Sequence, residues 1–255
     1  MSAPTMRIDS AAFYMRNVRT RMPFKYGVAV LTSVPILHAI VHVTVEGKRV
    51  QGIAADILPP KWFDKDPEKE YEDNVEDLLF CARAAARVYS AVGRSPNTFF
   101  SIWQEGYEAT LAAGDTRHLN HLTAAHGSSL MERALIDACG RGLGQTYFQL
   151  IRDNTLDLNL GCLHAELTGI SPASVLASAP LTSIAIRHTV GLADPIYRGD
   201  ITAEEELDDC LPQALEEYIS AQGIAFLKVK VSGDMDADRE RLRVISGLLD
   251  QRDQS

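Results

Sequence analysis

The sequence predicts an α+β domain followed by the opening of a parallel α/β domain. From Arg7 to Leu58, apolar and polar residues alternate in runs separated by turn residues, and helical patterns then follow in a block. Strands followed by helices in blocks indicate an α+β domain. From near Leu181, strand and helix patterns alternate singly, which requires parallel strand pairing through crossover connections. We therefore assign residues 1–150 to the first domain, residues 151–180 to a connection and residues 181–255 to the second domain.

The first domain begins with a pattern typical of a hairpin or a three-stranded meander. In "VPILHAIVHVTV" the side chains on one face are all apolar, and the turn residues "EGK" return the chain into a further strand. A helix is predicted next, with Asp66 as N-cap, Pro67 at the first helical position and Gly93 at the end. Two more helices are predicted near Ser101 to Ala113 and near Ser129 to Cys139.

The second domain is predicted to contain two βα units. "LTSIAIRHTVG" and "AFLKVKV" are typical of strands; "LPQALEEYISAQG", which begins at Pro212 and ends at Gly223, and "DADRERLRVISGLLDQ" are typical of helices. Two parallel strands do not form a stable sheet alone, and parallel strands need cover on both faces. We therefore expect the remainder of this domain to lie outside the sequence.

Composition narrows the class of protein. The chain has 255 residues, 46% of them hydrophobic, and a net charge of −9, which disfavours a general nucleic-acid binder. The longest apolar run, "PILHAIVHVTV", is too short to span a membrane, and the N-terminus lacks the layout of a secretory signal. The cysteines are scattered without a CxxC pair, so we expect reduced thiols and a cytoplasmic protein with no membrane partner. They are Cys81, Cys139, Cys162 and Cys210.

Two lysines in "GIAFLKVKVSGD" pose the main functional question. Alternate residues of a strand share a face, so Lys228 and Lys230 project together, roughly 7 Å apart, whereas Leu227, Val229 and Val231 project from the other face. The pair could belong to an edge strand whose lysines discourage aggregation. It could instead form a functional site.

Three other motifs have structural interpretations beside functional ones. His118, His121 and His126 in "HLNHLTAAH" have helical spacing that could hold a metal, but a solvated helix end explains them without a fourth ligand. "CGRGLG" follows a helix and is predicted to end it. The acidic run from Glu204 to Glu206 after Thr202 is predicted to begin a helix with a capping box.

The order of these landmarks resembles a known family. "RMPFKYG", "PPKWFDK", the helix "LMERALIDACGRGLGQ", the strand "IAIRHTVG" and the K-x-K strand follow one another as in the mandelate racemase and muconate lactonizing branch of the enolase superfamily. The resemblance implies that residues 1–150 form the α+β capping domain. It also implies that residues 181–255 form the first two βα units of a truncated (β/α) barrel of the TIM type.

The resemblance implies an enzyme that removes the α-proton of a small carboxylate and holds the resulting enolate on Mg²⁺. Lys230 matches the base, and Lys228 matches the partner that tunes it and neutralises the substrate carboxylate. Two neighbouring ammonium groups repel each other, which favours loss of a proton from one of them. Two cap segments, Met22 to Gly27 and Pro59 to Phe63, match the loops that select the substrate. The implied substrate-binding residues are Met22, Phe24, Tyr26, Trp62 and His188.

The family's metal ligands come from later barrel strands that this sequence does not contain. Asp234, Asp236 and Asp238 follow the lysine strand, where a helix N-cap is the simpler explanation. We therefore expect the 255-residue chain alone to be inactive. Racemisation, epimerisation, cycloisomerisation and dehydration stay open, as do sugar acids, amino-acid derivatives and aromatic acids. The alternatives are a truncated binding or assembly protein that forms homo-oligomers, and a different α/β fold whose lysines bind an anion.

Overall fold

The chain divides into two compact units. The computed structural model describes residues 3–26 and 29–252. The tip of the first β-hairpin belongs to the second unit together with the C-terminal part of the chain. The first unit comprises Met1–Val18 and Val34–Pro180, and the second comprises Arg19–Ser33 and Leu181–Ser255.

The first unit contains the predicted three-stranded meander, which confirms the strand assignment. The strand order is β1-β2-β3, and β2 pairs antiparallel with β3 in a register that places Val43 opposite Val50. The turn between them uses Glu46 and Gly47, both with positive φ (46° and 78°), as a tight two-residue hairpin requires. The strands are β1 (Met6–Tyr26), β2 (Ala29–Val45) and β3 (Lys48–Ile57).

One face of this sheet is covered by three long helices. They are α1 (Tyr71–Val92), α2 (Phe99–Asp115) and α3 (His121–Leu143). The last two extend beyond their predicted ranges because Thr98 and Asn120 cap them: Thr98 Oγ1 accepts from the Ser101 amide (3.4 Å) and Asn120 Oδ1 from the Thr123 amide (2.9 Å). Leu78, Met131 and Leu135 belong to the core that the helices form with the buried face of β2.

The predicted start of α1 was wrong. Asp66 and Pro67 lie in the preceding loop, and the helix begins after Glu70, whose amide donates to the Asp73 carboxylate at 2.9 Å. Lys69 explains the delay, because its ammonium bridges the carboxylates of Asp64 and Asp77, each at 2.7 Å. The loop is thus held by side-chain ion pairs rather than continued as a helix.

Between α3 and residue 181 the chain forms only short helices and irregular segments. Gly144, with φ of 68°, ends α3 as the "CGRGLG" motif predicts. Two short helices follow, α4 (Tyr147–Arg152) and α5 (Pro172–Val175), with irregular chain around them. Among residues 3–26 and 29–252, no helix is long and apolar enough to cross a bilayer.

The second unit contains the predicted alternation of strands and helices. β4 (Arg187–Val190) and β5 (Phe226–Val229) pair in parallel, and they alternate with α6 (Leu215–Gln222) and α7 (Met235–Arg252). Both strands are shorter than predicted. A small apolar cluster joins them to the helices; its buried members are Val190, Ile196, Leu215, Ile219, Ile224, Ile245 and Leu248.

Two predicted helix starts in this unit were wrong. α6 begins at Leu215 rather than Pro212, because the Glu217 carboxylate accepts from the Gln213 and Ala214 amides, both at 2.9 Å. Thr202 does form its capping interaction, donating to the Glu205 carboxylate at 2.9 Å. The chain nevertheless makes only a turn there, so the predicted helix is absent.

Candidate functional site

The two faces of the β4–β5 pair have different surroundings. In the parallel register His188 lies beside Leu227 and Thr189 beside Lys228. Leu227 and Val229 pack against the apolar cluster formed with α6 and α7. Thr189 and Lys228 therefore project from the opposite face of the sheet.

The two lysines lie at the carboxyl end of β5. Lys228 is exposed, whereas Lys230 is half-buried and directly follows the last residue of the strand. The Lys230 amide donates to the Val190 carbonyl at 2.9 Å, so strand pairing continues to this position. In parallel α/β barrels, catalytic residues occupy this end of the strands.

A tight turn follows β4 at the same edge. The Asp194 carboxylate accepts from the Gly191 amide at 2.6 Å and closes the turn. Arg241 on α7 reaches across and donates to the carbonyls of Gly191 (2.9 Å) and Asp194 (3.0 Å). The loop that leaves β4 is therefore fixed from two sides.

The tip of the first hairpin is fastened within this unit by Arg21. Its guanidinium pairs with both carboxylate oxygens of Asp209 (2.6 and 2.8 Å) and lowers the pKa of that carboxyl to about 2. It also donates to the carbonyls of Leu211 (3.1 Å) and Pro212 (2.9 Å) and to the Tyr218 hydroxyl (3.2 Å). A guanidinium has five N–H donors, and these five contacts occupy all of them.

A cavity of about 340 Å³ is lined in part by the hairpin tip that Arg21 fastens. His188 and Tyr218 form one wall, with ring centroids 4.6 Å apart. Burial lowers the pKa of His188, while the charge of Asp194 opposes that shift. The lining residues are Met22, Pro23, Phe24, His188, Thr189, Val190, Asp194, Pro195, Gln213, Leu215 and Tyr218.

The structure thus brings together three of the expected substrate-binding residues: Met22, Phe24 and His188 line one cavity. The segment from Met22 onward is the end of β1 rather than a loop, and Gly27 lies outside the described residues. Tyr26 is buried beside Phe24 (ring centroids 5.7 Å apart) and does not line the cavity. Trp62 is 44% exposed in the first unit.

The carboxylates after β5 act as helix caps. Asp234 accepts from the Asp236 and Ala237 amides, both at 3.1 Å, and Asp238 accepts from the Ser232 and Gly233 amides. Across the two described stretches of chain, no group of three or more His, Cys, Asp or Glu side chains could hold a metal ion. These residues therefore do not fit the magnesium that the resemblance implies.

The histidines of "HLNHLTAAH" differ in burial and in their neighbours. His121 begins α3 and contacts Asp115 at 3.1 Å, and both side chains are exposed. His126 is only 5% exposed, packs its ring against Phe63 and has a pKa lowered by burial. The solvated helix end explains the exposed histidine, but the burial of His126 was not foreseen.

Sequence reasoning missed Arg21, Asp209 and Tyr218, which position the tip. Arg21 and Asp209 are 188 residues apart, so no local spacing could have connected them. The one available signal was the position of Arg21 within "RMPFKYG", beside Met22 and near Phe24, which the resemblance assigns to substrate binding.

Comparisons with known proteins define the fold. No family model matches the sequence, and no curated protein matches it. Among solved structures, a mandelate racemase/muconate lactonizing enzyme-like protein from Rubrobacter xylanophilus matches 95% of the chain at 17% identity and a TM-score of 0.54. An enolase from alpha proteobacterium BAL199, with bound Mg, matches 96% at 13% identity and a TM-score of 0.59.

A third match is the L-talarate/galactarate dehydratase from Salmonella typhimurium LT2, liganded with Mg and L-lyxarohydroxamate. It matches 97% of the chain at 14% identity and a TM-score of 0.52. This chain covers 50%, 52% and 50% of the three structures, respectively. Identities this low establish the fold alone. The chain therefore has the fold of about half of an enolase-superfamily enzyme of the mandelate racemase and muconate lactonizing type, as expected for a capping domain and the start of a barrel.

Proposed function

We propose that this chain supplies the cap and the general base of an enolase-superfamily enzyme that removes the α-proton of a small carboxylate. One observation carries the proposal: Lys230 lies at the carboxyl end of β5, whereas Leu227 and Val229 of that strand pack against the helices. This arrangement is unlike a solvated edge strand, because Lys230 is half-buried and its amide is paired with β4.

The two lysines have complementary roles in this proposal. Lys230 accepts the α-proton on its side-chain nitrogen, and the electrons of the broken C–H bond move towards the carboxylate. The Lys228 ammonium pairs with that carboxylate and stabilises the negative charge that develops on its oxygens. Met22, Phe24 and His188 contact the rest of the substrate, and Trp62 and Tyr26 belong to the cap segments that select it.

The reaction class is a racemisation, cycloisomerisation or dehydration, so the enzyme is an isomerase or a lyase. The BAL199 and Salmonella structures contain Mg, but the described residues of this chain do not form a site for it. Metal ligands would have to come from outside residues 3–26 and 29–252, and we expect the chain alone to be inactive. A cytoplasmic location stays a prediction.

A non-catalytic assembly role is the second candidate. It is favoured by the large apolar side chains that the second unit exposes: Ile184 is 81% exposed, Ile186 70% and Phe226 58%. Apolar surface of this kind beside a two-stranded sheet suits pairing with further strands, for example in a homo-oligomer.

The first test is the coding sequence that follows codon 255. The enzyme proposal expects an in-frame continuation with a strand that ends in Asp about 20 to 30 residues downstream, the length of a βα unit. A stop codon at that point, together with a monodisperse oligomer in solution, would overturn the enzyme proposal in favour of assembly.

The second test uses the continuous protein in D₂O. Exchange of the α-proton of small carboxylates is followed by proton NMR. Lys230→Met should reduce exchange by about 100-fold or more, the usual contribution of a general base. The matched control is Lys65→Met, an exposed lysine of the first unit, which should leave exchange unchanged. Equal exchange in both variants would refute the assignment of Lys230.

A further inference from the structure

We propose that two side chains of α3, Arg133 and Asp137, close the outer edge of β3 to a further strand. Without them, β3 would pair with the β3 strand of a second copy of this chain. An edge strand presents a row of backbone groups that can template such pairing, and natural proteins block it with charged side chains. These contacts lie within the first unit, so they are independent of the role proposed for the lysines.

The register of β3 defines which of its backbone groups point away from β2. The Leu58 amide donates to the Pro35 carbonyl at 2.9 Å, and along an antiparallel ladder such hydrogen-bonded pairs alternate with pairs that are not hydrogen-bonded. Counted back from Leu58 in this register, Ile53, Ala55 and Ile57 occupy the positions whose N–H and C=O groups point outward. These three residues therefore form the edge that another strand would contact.

Helix α3 supplies partners for two of the outward groups. The Ile53 amide donates to the Asp137 carboxylate at 2.8 Å, and the Ala55 carbonyl accepts from the Arg133 guanidinium at 3.3 Å. A strand that paired with β3 here would have to break both bonds and displace two charged side chains. Leaving charged groups without their partners is costly, so the bonded edge resists strand addition.

The charged side chains are themselves held in place. The Asp137 carboxylate also accepts from Arg141 Nε at 2.8 Å, and Arg133 Nη2 pairs with Asp56 Oδ2 at 2.8 Å. The other carboxylate oxygen of Asp56 accepts from the Ile57 amide at 2.9 Å, so the third edge residue is bonded as well. Connected ion pairs contribute more than isolated surface pairs, which favours a persistent cover over the edge.

Gly52 explains how α3 comes close enough to reach the edge. A Cβ added at Gly52 would lie 2.7 Å from the Ala138 Cβ and would overlap the Ala134 carbonyl oxygen, so the helix lies directly on β3. Ala134 and Ala138 are four residues apart and share one row of the helix surface. Arg133 and Asp137 have the same spacing and form the adjacent row, which reaches the outward groups of the edge.

A second copy of the chain is the partner that an uncovered β3 would take. The side chains of the three edge residues are apolar and exposed: Ile53 is 42% exposed, Ile57 36%, and Ala55 is also exposed. Two copies of one strand that pair antiparallel about a two-fold axis present the same surface to each other, so the apolar side chains of one edge meet those of the other.

The experiment measures self-association of the full 255-residue chain by sedimentation velocity. The double variant Arg133→Ala/Asp137→Ala should associate at least about tenfold more tightly than the unaltered protein. Asp137→Asn retains an acceptor for the Ile53 amide and should change association less than about twofold. The matched control, Arg83→Ala/Glu76→Ala, removes an exposed ion pair of α1 (3.2 Å) and should have no effect. Association of the first double variant that is no tighter than that of the control would overturn the proposal.

A further substitution separates edge pairing from association through unfolding. The Ala55 amide points away from β2, so Ala55→Pro removes a donor that an added strand needs without breaking the β2–β3 ladder. Added to the Arg133/Asp137 double variant, it should return association to the level of the unaltered protein. Association that persists or increases would arise from unfolded chains and would refute edge pairing.

Amide hydrogen exchange locates the contact. In the Arg133/Asp137 double variant, the Ala55 amide should exchange at least about tenfold more slowly as protein concentration rises, because the second copy protects it. Protection confined to amides of β4 or β5 would place the association in the second unit and contradict the proposal. Asp137→Ala alone frees one edge group and should tighten association about threefold, which provides the same test with a smaller loss of stability.

Discussion

The two units differ in the size of their apolar cores. The first unit has an extensive core, whereas the second unit, which carries the candidate site, has a small core. In the first unit, three strands and three long helices enclose one continuous apolar cluster. In the second, the described residues form a cluster of seven buried side chains around two strands, and several large apolar side chains stay exposed. The comparison indicates that stability resides mainly in the cap, while the residues proposed for chemistry lie on a sheet that is small for independent stability.

The largest expected effect concerns a close contact between two helices of the first unit. A Cβ added at Gly127 on α3 would lie 2.2 Å from the carbonyl oxygen of Cys81 on α1. Gly127→Ala should therefore lower the free energy of unfolding of the first unit by about 3 kcal/mol or more, because the two helix backbones must separate. Chemical denaturation followed by circular dichroism measures the loss.

The matched control lies in the second unit. Gly247 is in α7, and among the described residues no atom beyond its chain neighbours and the adjacent helix backbone lies within 4 Å of an added Cβ. Gly247→Ala should stabilise that unit by about 0.5–1 kcal/mol through helix propensity. Similar destabilisation by both substitutions would show that the packing of the two units does not differ as described.

The next effect concerns the hairpin tip. Arg21→Lys removes the bidentate pair with Asp209 and the bonds to two carbonyls, since an ammonium cannot reproduce the planar fork. Amide hydrogen exchange in Arg19–Ser33 should accelerate about tenfold, while exchange in α1 and α3 should not change. Arg19→Lys, an exposed position of the same strand, is the control. Equal exchange in both variants would mean that the tip is held by other contacts.

The smallest effect is a pH dependence of the free energy of unfolding of the first unit. Burial lowers the pKa of His126, so the unfolded chain binds the proton at a higher pH than the folded one. The free energy of unfolding should therefore fall as pH decreases below about 6.5, with a slope of at most about 1.4 kcal/mol per pH unit, and level off below the folded-state pKa. His126→Gln should reduce that slope.

The control for this prediction is His42→Gln, which changes an exposed histidine of β2. Burial raises the pKa of Glu132, and this carboxyl contributes to the pH dependence of stability with the opposite sign. The slope of each histidine variant is therefore compared with that of the other variant and of the unaltered protein. An unchanged slope between pH 5 and 6.5 in the His126 variant would contradict the assignment.

The parts of the fold that depend on short-range periodicity were predictable from the sequence. Alternation identified the meander and the two faces of the lysine strand, and the acidic residues after β5 identified the N-terminus of α7. Each of these signals is contained within about ten residues, the length over which propensity and patterning act.

What could not be predicted depends on side-chain contacts that propensity and periodicity do not encode. The start of α1 was displaced because Lys69 pairs with Asp64 and Asp77, five and eight residues away, and these ion pairs override the Asp-Pro signal. The resemblance grouped Met22, Phe24 and His188, but local patterns could not show the cavity, since its walls come from the hairpin tip and from the chain after Leu181. The position of Lys230 at the end of a strand could be predicted, but the contacts of Arg21 with the segment from Asp209 to Pro212 could not.

The contact between Arg21 and Asp209 joins two segments that are 188 residues apart in the chain. An engineer who transplants the hairpin tip into another scaffold to alter ligand preference must also transplant the segment from Asp209 to Pro212, or the tip loses its anchor. In related sequences, the two ends of this ion pair should be replaced together, and positions 21 and 209 should show correlated substitution.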